Sequence, residues 1–205
     1  MILSSFPSIL IFLTKYVSLS FNERYDRLII ISYIFVFLVI ALIFYYRLKI
    51  NILRYEFVEI AQLHEINKFL SKSKKITEKI IIAIPAYNEA NNIQKIIKRI
   101  PNKICGLKPY ILVISDGSTD ETYSAAKKTK ANVIQLPLNF GQCVAYRTAY
   151  KIAIKLKFKY LVHLDADGQY SPEEINKLVK PLINGNANFV SGSRLKGKYE
   201  EKFAI

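Results

Sequence analysis

Hydrophobic and polar positions divide the chain into two regimes. Through about residue 70 the apolar positions are continuous or recur at helical spacing; from 79 onward short apolar runs alternate with amphipathic stretches. Residues 28–46 carry no charge and are bracketed by Arg27 and Arg47. At about 1.5 Å per residue the run covers roughly 28 Å, close to the thickness of a bilayer's hydrocarbon core. Tyr45 and Tyr46 fall where an aromatic belt sits. This predicts a transmembrane helix. The preceding segment, 1–27, is apolar but interrupted by Pro7 and Lys15, and has no small-residue cleavage site. It reads as a signal-like segment, a re-entrant piece or a poor first span. Residues 47–78 read as an amphipathic connector, with Ile50, Leu53, Phe57, Ile60, Ala61 and His64 at helical spacing. A polar, Lys-rich hinge closes the connector at 71–78, and the domain boundary is expected there.

The remainder, 79–205, alternates between two periods. Strands are expected at 79–85, 110–115, 132–136, 159–164 and 187–191. Helices are expected at 91–100, where Ile93, Ile96, Ile97 and Ile100 share a face, at 119–130 and at 141–156. A fourth helix should open at Ser171-Pro172-Glu173-Glu174, with Ser as N-cap, Pro in the first position and Glu reaching back. Ile175, Leu178, Val179 and Leu182 would line its buried face. Strands alternating with helices predict an α/β fold, a mainly parallel sheet with helices on both faces and right-handed crossovers.

Charge narrows the partners. Lys and Arg total 30 against 16 Asp and Glu, a net +14. Nucleic acid, an anionic membrane face or a phosphate-bearing substrate would each account for the excess, as would a Lys-rich solvated surface. No basic helix with interleaved aromatics and no zinc spacing is present, so nucleic acid is not an expected partner. Cys105 and Cys143 do not form a disulfide framework and suit a reducing compartment. The basic residues flanking 28–46 tie across the span, and Lys68, Lys72, Lys74, Lys75 and Lys79 add to the downstream side. The near flanks do not decide orientation, and the anchor is expected to be single-pass or a hairpin.

Candidate chemistry collects just after the strands. The first is followed by Pro85-Ala86-Tyr87-Asn88-Glu89, and the second by Ser115-Asp116-Gly117-Ser118-Thr119-Asp120. The third leads to Asn139-Phe140-Gly141-Gln142, the fourth to Leu164-Asp165-Ala166-Asp167-Gly168-Gln169, and the fifth to Gly192-Ser193-Arg194. In a parallel α/β sheet these positions share the carboxyl edge, where ligands bind. Asp165 and Asp167 offer hard oxygen ligands suited to Mg²⁺ or Mn²⁺, and such cations suit diphosphates. Asp-Gly is equally a turn dipeptide. Gly117, Ser118 and Asp120 read as a turn capping the next helix; Asn139 and Gly141 read likewise as helix-entry chemistry. His163 reads as a core histidine rather than a base, and Arg147 as a surface residue.

These five motifs, in this order, resemble family-2 glycosyltransferases with the GT-A fold, specifically the dolichyl- or polyprenyl-phosphate mannose synthase-like branch. The match runs from about Ile80 to Arg194. The resemblance implies that Pro85, Ala86, Tyr87 and Glu89 line a nucleotide pocket and that Asp116 contacts the nucleoside. It implies that Asp165 and Asp167, with Ala166 between them, form the metal–diphosphate motif with Gln169 assisting, and that Arg194 contacts phosphate. It further implies a nucleotide-diphospho-sugar donor (GDP-mannose or a UDP-hexose), a polyprenyl-phosphate or other glycan or lipid acceptor, a divalent metal and inversion at the anomeric carbon, and, because such a donor is made there, a downstream domain on the cytoplasmic side. The chain departs from the family where Ser115 replaces an acid and where Gly141-Gln142-Cys143 replaces Gly-Lys-Gly. In the family, the part beyond Arg194 carries acceptor contacts; here the chain stops at Ile205. The other expectation is therefore a catalytically incomplete membrane protein that retains the donor-binding half of the fold.

Overall fold

The structure is a computed structural model and describes residues 23–73 and 76–192. The expectations for 1–22 and for Ser193 and Arg194 lie outside the described residues. The chain divides into two compact units, Met1–Glu56 and Phe57–Ile205.

One unbroken helix, α1 (Glu23–Lys72), covers both the expected span and most of the connector. Nothing interrupts it, because no Pro or Gly occurs between 23 and 72. It is the one helix among the described residues long and apolar enough to cross a membrane, and none of its apolar window is buried. An unburied window of this kind is not the core helix of a soluble domain.

The α/β unit follows as β1 (Ile80–Ala86), α2 (Ala90–Arg99), β2 (Pro109–Asp116), α3 (Thr122–Lys127), β3 (Asn132–Leu136), α4 (Gln142–Lys155), β4 (Tyr160–His163), a 3₁₀ turn (Pro172–Glu174) and α5 (Ile175–Ile183). All strand pairs are parallel, in the order β3-β2-β1-β4. β1 is central and buried throughout, as expected of a continuous apolar strand covered on both faces. Its alternate residues feed two cores. Ile80, Ile82 and Ile84 pack with Ile93, Ile96 and Ile97 of α2, Ala125 and Ala126 of α3, and Ile175 and Val179 of α5. Ile81 and Ala83 pack with Ala145, Ala149 and Ile152 of α4 and with Ile66 from the last turns of α1. Each fully buried Ile contributes about 1.5–3 kcal/mol.

The last turns of α1 are fastened to α4 by polar contacts as well. Gln62 is fully buried and donates to the Val144 carbonyl (3.0 Å) and the Thr148 hydroxyl (2.7 Å). Its own carbonyl oxygen accepts from Lys151 Nζ at 2.7 Å. Glu59 is paired with Lys151 (2.6 Å) and Arg147 (3.1 Å), so Arg147 is engaged in an ion pair rather than free in solvent.

Three expectations are corrected. Residues 187–191 form no strand, and Phe189 stands 83% exposed. A strand needs a partner ladder, and none among the described residues pairs with this short, Asn-flanked run. The helix expected over 119–130 shrinks to Thr122–Lys127 because Asp120 is drawn into a turn. The capping box at 171–174 does not form: Ser171 makes no side-chain cap bond. Glu174, at the reciprocating position, instead accepts from Lys177 Nζ at 3.1 Å, and Glu173 accepts from Arg99 Nε at 2.8 Å and Nη2 at 3.0 Å.

Candidate functional site

The site begins with a parting of strands. Pairing of β1 with β4 ends at Ala83 and His163, followed by one further bond from the Leu164 amide to the Ala83 carbonyl (3.1 Å). Pro85, two residues on, has no N–H to continue a ladder. The chain after β4 is therefore free to diverge from the chain after β1. A cavity of about 510 Å³ opens between them. Pro85, Ala86, Tyr87, Glu89, Asp116, Asp165, Ala166 and Asp167 line it, all of them positions singled out from the sequence. Asn139, Gly141, Gln142 and Ala145 complete the wall. Among the described lining residues there is no Lys or Arg, against four carboxylates.

The loop after β2 is laced to the loop after β1. Asn88 adopts φ 55° and accepts the Thr119 amide at 2.9 Å through its side chain. Ser118 Oγ accepts from the Asn88 amide at 3.2 Å, and Thr122 Oγ1 from the Glu89 amide at 2.7 Å. Asp120 accepts the Thr122 amide (2.9 Å) and the Ala90 amide (3.2 Å), so it serves the starts of both α3 and α2. Desolvation raises the Asp120 carboxyl, but hydrogen bonds from the Thr122 hydroxyl and amide and from the Ala90 amide outweigh it and hold the group below its ordinary range. Asp120 stands at the entry to α3 as the turn-and-cap reading expects, whereas Ser118 bonds to the loop after β1, and the N-cap of α3, Glu121, makes no side-chain cap bond. Ser115 is buried and donates to Ser118. It belongs to this lacing and does not line the cavity.

Asp116 is 3% exposed, and its two oxygens accept the amides of Phe140 (3.0 Å) and Gly141 (2.8 Å). It thereby fixes the loop that precedes α4. Between the two loops lies Gly117, at φ +63°, where a Cβ would fall 2.2 Å from the Leu138 carbonyl carbon and 2.3 Å from the Asn139 nitrogen. Only glycine permits that approach.

The acid pair is held differently at each member. Asp165 Oδ1 accepts from the Tyr146 hydroxyl at 2.6 Å and from Gln142 Nε2 at 3.2 Å. Asp167 Oδ1 accepts the Gln169 amide at 2.9 Å, an Asx turn completed by Gly168 at φ +79°. Gln169 thus braces the turn through its backbone, and it does not line the cavity. Burial raises the Tyr146 phenol, and the carboxylate it donates to raises it further, so the phenol remains a donor at any physiological pH.

His163 is not in the core. It is exposed at the end of β4, bonded to the Tyr150 hydroxyl at 2.6 Å, with ring centroids 4.4 Å from Tyr146 and 5.1 Å from Tyr150. Sequence reading placed Gln142 after the third strand but gave it no partner, and it missed Tyr146 and this contact. The available signal was parity: residues 161, 163 and 165 lie on the face of the sheet that α4 covers.

Could the acid pair hold a divalent cation? No group of three or more His, Cys, Asp or Glu side chains suited to a metal exists among the described residues. Mg²⁺ and Mn²⁺ serving a diphosphate do not need one; one or two carboxylates suffice, with phosphate and water completing the shell. Two hard carboxylates on an otherwise acid-lined wall meet that description, and the residues fit.

Residues 81–204 match glycosyl transferase family 2. The chain belongs to this family, and its β3-β2-β1-β4 parallel sheet with helices on both faces is GT-A-like. Similar proteins include the UDP-N-acetylglucosamine–dolichyl-phosphate N-acetylglucosaminyltransferase of Methanococcus voltae, 32% identical over 140 residues, which covers 60% of this chain and 55% of the relative. The polyprenol monophosphomannose synthase of Mycolicibacterium smegmatis is 30% identical over 124 residues, covering 58% and 46%. Among solved structures, glucosyl-3-phosphoglycerate synthase from Mycobacterium tuberculosis, in complex with Mn²⁺, UDP and glucosyl-3-phosphoglycerate, aligns with a TM-score of 0.43 at 26% identity, covering 52% of this chain and 40% of that one. The chain spans about half the length of the curated relatives it matches.

Proposed function

We propose that this chain carries the donor-binding half of a membrane-anchored glycosyltransferase that moves a sugar from a nucleotide diphosphate to a polyprenyl phosphate. The observation that carries the reading is the cavity at the carboxyl edge of the sheet, where Tyr87, Asp116, Asp165 and Asp167 converge. Two relatives whose names pair different sugars with a polyprenyl or dolichyl phosphate support the acceptor class and leave the donor sugar open.

The half-exposed ring of Tyr87 offers a stacking surface for a base. Asp116 keeps the Phe140–Gly141 amides in place and so shapes the nucleoside end of the cavity. Asp165 and Asp167 would hold Mg²⁺ or Mn²⁺, which supplies neutralisation of charge on a departing diphosphate. Arg194 would contact phosphate. A polyprenyl phosphate acceptor is largely ionised at neutral pH, with a second pKa near 6 for a phosphate monoester. It therefore attacks without a strong protein base, on the face opposite the leaving group, and inversion follows. Helix α1 would anchor the enzyme where such a lipid resides, with the α/β unit on the cytoplasmic side.

The test is calorimetric binding of GDP- and UDP-sugars to the full chain in detergent, with and without Mn²⁺, for wild type and Asp167→Ala. Wild type is expected to bind one nucleotide class only with Mn²⁺, and Asp167→Ala to lose that binding at least tenfold. Equal binding by both proteins, with and without metal, overturns the reading.

A further inference from the structure

Gln142, Tyr146 and Tyr150 follow one another at four-residue intervals and form a stripe along α4. Opposite them stand His163 and Asp165, two residues apart on one side of an extended chain. Four helical residues advance about 6 Å and two extended residues about 6.6 Å, so the two series stay in step. Tyr150 meets His163 at 2.6 Å, and Tyr146 meets Asp165 at 2.6 Å while its ring packs on His163. Gln142, a turn earlier, adds a second donor to the same Asp165 oxygen at 3.2 Å. Among the described residues no bond of this kind reaches Asp167, which accepts the Gln169 amide in its own turn.

The geometry points to Tyr146 as a positioning residue for the donor site: with Gln142, it fixes the rotamer of Asp165 by holding Oδ1 and leaves Oδ2 for the ligand. Such a phenol does not touch the substrate; it acts through the carboxylate. This inference rests on the proposed function, since Asp165 matters only if the cavity takes a metal–nucleotide complex. Partners that orient a ligating carboxylate typically alter metal affinity 10–100-fold. Gln142 and Tyr146 are both neutral donors to Asp165. Orientation of the acid pair in this chain consequently depends on hydrogen bonds.

The test uses the full chain in detergent and two readouts. The first needs no ligand: thermal midpoints of wild type, Tyr146→Phe, Asp165→Ala and the double variant, without metal. The expected result is non-additivity, with the double variant no less stable than the worse single one. The second is calorimetry of Mn²⁺ with GDP or UDP, using the nucleotide that wild type binds more tightly. Tyr146→Phe is expected to weaken Mn²⁺–nucleotide binding tenfold or more. Tyr150→Phe, which breaks the neighbouring bond to His163 on the same helix face, is expected to leave it unchanged. Additive midpoints, or equal weakening by Tyr146→Phe and Tyr150→Phe, overturn the positioning role. Metal-dependent binding that is the same in wild type and Tyr146→Phe also overturns it, and the proposed function stands. Absence of metal-dependent binding in wild type removes both.

Discussion

Replacing Gly117 with Ala puts the close approach of two loops to a quantitative test. Gly117 sits at φ +63°, in a region that costs an L-residue about 1–2 kcal/mol. The new Cβ would also lie 2.2 Å from the Leu138 carbonyl carbon, 2.3 Å from the Asn139 nitrogen and 2.7 Å from Leu138 Cα. All three are backbone atoms and cannot swing aside as a side chain would. Relief requires the 138–141 loop to move, against the bonds from Phe140 and Gly141 to Asp116. Overpacking of this kind costs about 1–3 kcal/mol. The expected total is about 2–5 kcal/mol, roughly a 5–20 °C fall in the thermal midpoint for a domain of this size. Gly106→Ala is the internal standard: its φ of +82° imposes a comparable backbone penalty, with nothing within 4 Å of the new Cβ. Thermal unfolding of both variants by circular dichroism separates the steric part from the conformational part. A Gly117→Ala cost no larger than that of Gly106→Ala refutes the loop contact. Nucleotide affinity should fall in Gly117→Ala alone, because the displaced loop contributes Asn139 and Gly141 to the cavity wall.

Gln62→Ala should lower stability by about 2–3 kcal/mol in denaturant titration, because it leaves the Lys151 and Thr148 partners of a fully buried side chain short of a bond; an unchanged midpoint would show that α1 residues beyond 57 are not fastened to α4. Asp120 governs part of the acid limb. Its folded carboxyl lies below the unfolded value near 3.9, so its stabilisation is complete above that pH and is lost as pH falls through the lower folded value. Asp120→Asn should therefore flatten the decline of the thermal midpoint below about pH 4, and an unaltered slope there would exclude this carboxyl as its source.

The alternation of apolar and polar runs made the α/β order legible, because a buried parallel strand such as Ile80–Ala86 cannot be polar anywhere along its length. The cavity wall was legible for the same reason: strand ends in such a sheet share one edge, so Pro85, Asp116 and Asp165 had to meet. What escaped were features set by partners rather than by local pattern. Phe189 and Val190 have strand character, but no described neighbour pairs with them. Glu174 has the spacing of a capping residue, but it accepts from Lys177 one turn on, and its neighbour Glu173 makes a two-point charged contact with Arg99, distant in sequence. His163 in an apolar run suggests a core residue, yet its parity places it on the α4 side and its position at the strand end leaves it exposed. Tyr146, in a helix of mixed polarity, gives no signal until β4 parity is compared with the α4 stripe.

The charge distribution constrains how a diphosphate can be accommodated. The chain carries a net +14, yet none of that positive charge among the described residues lines the cavity, where Glu89, Asp116, Asp165 and Asp167 face inward. Asp116 is occupied by two amides, and one oxygen of Asp165 by two neutral donors, which moderates but does not cancel their fields. Two unit charges 4 Å apart at a protein surface interact by about 4 kcal/mol, so a bare diphosphate meeting this wall would be repelled on several sides. Surface lysines more than about 10 Å away are largely screened at physiological salt and offer little relief. Under the proposed function compensation would come from close by, from a divalent cation held by Asp165 and Asp167 and from the phosphate contact assigned to Arg194. Nucleotide binding here should therefore depend far more on divalent metal than on ionic strength, the reverse of what a basic surface patch would give. If the proposed function holds, a Lys in the place of Gln142 would bring positive charge of its own and lessen the need for metal, whereas the neutral amide leaves that role to the cation and to the hydrogen bonds that hold Asp165.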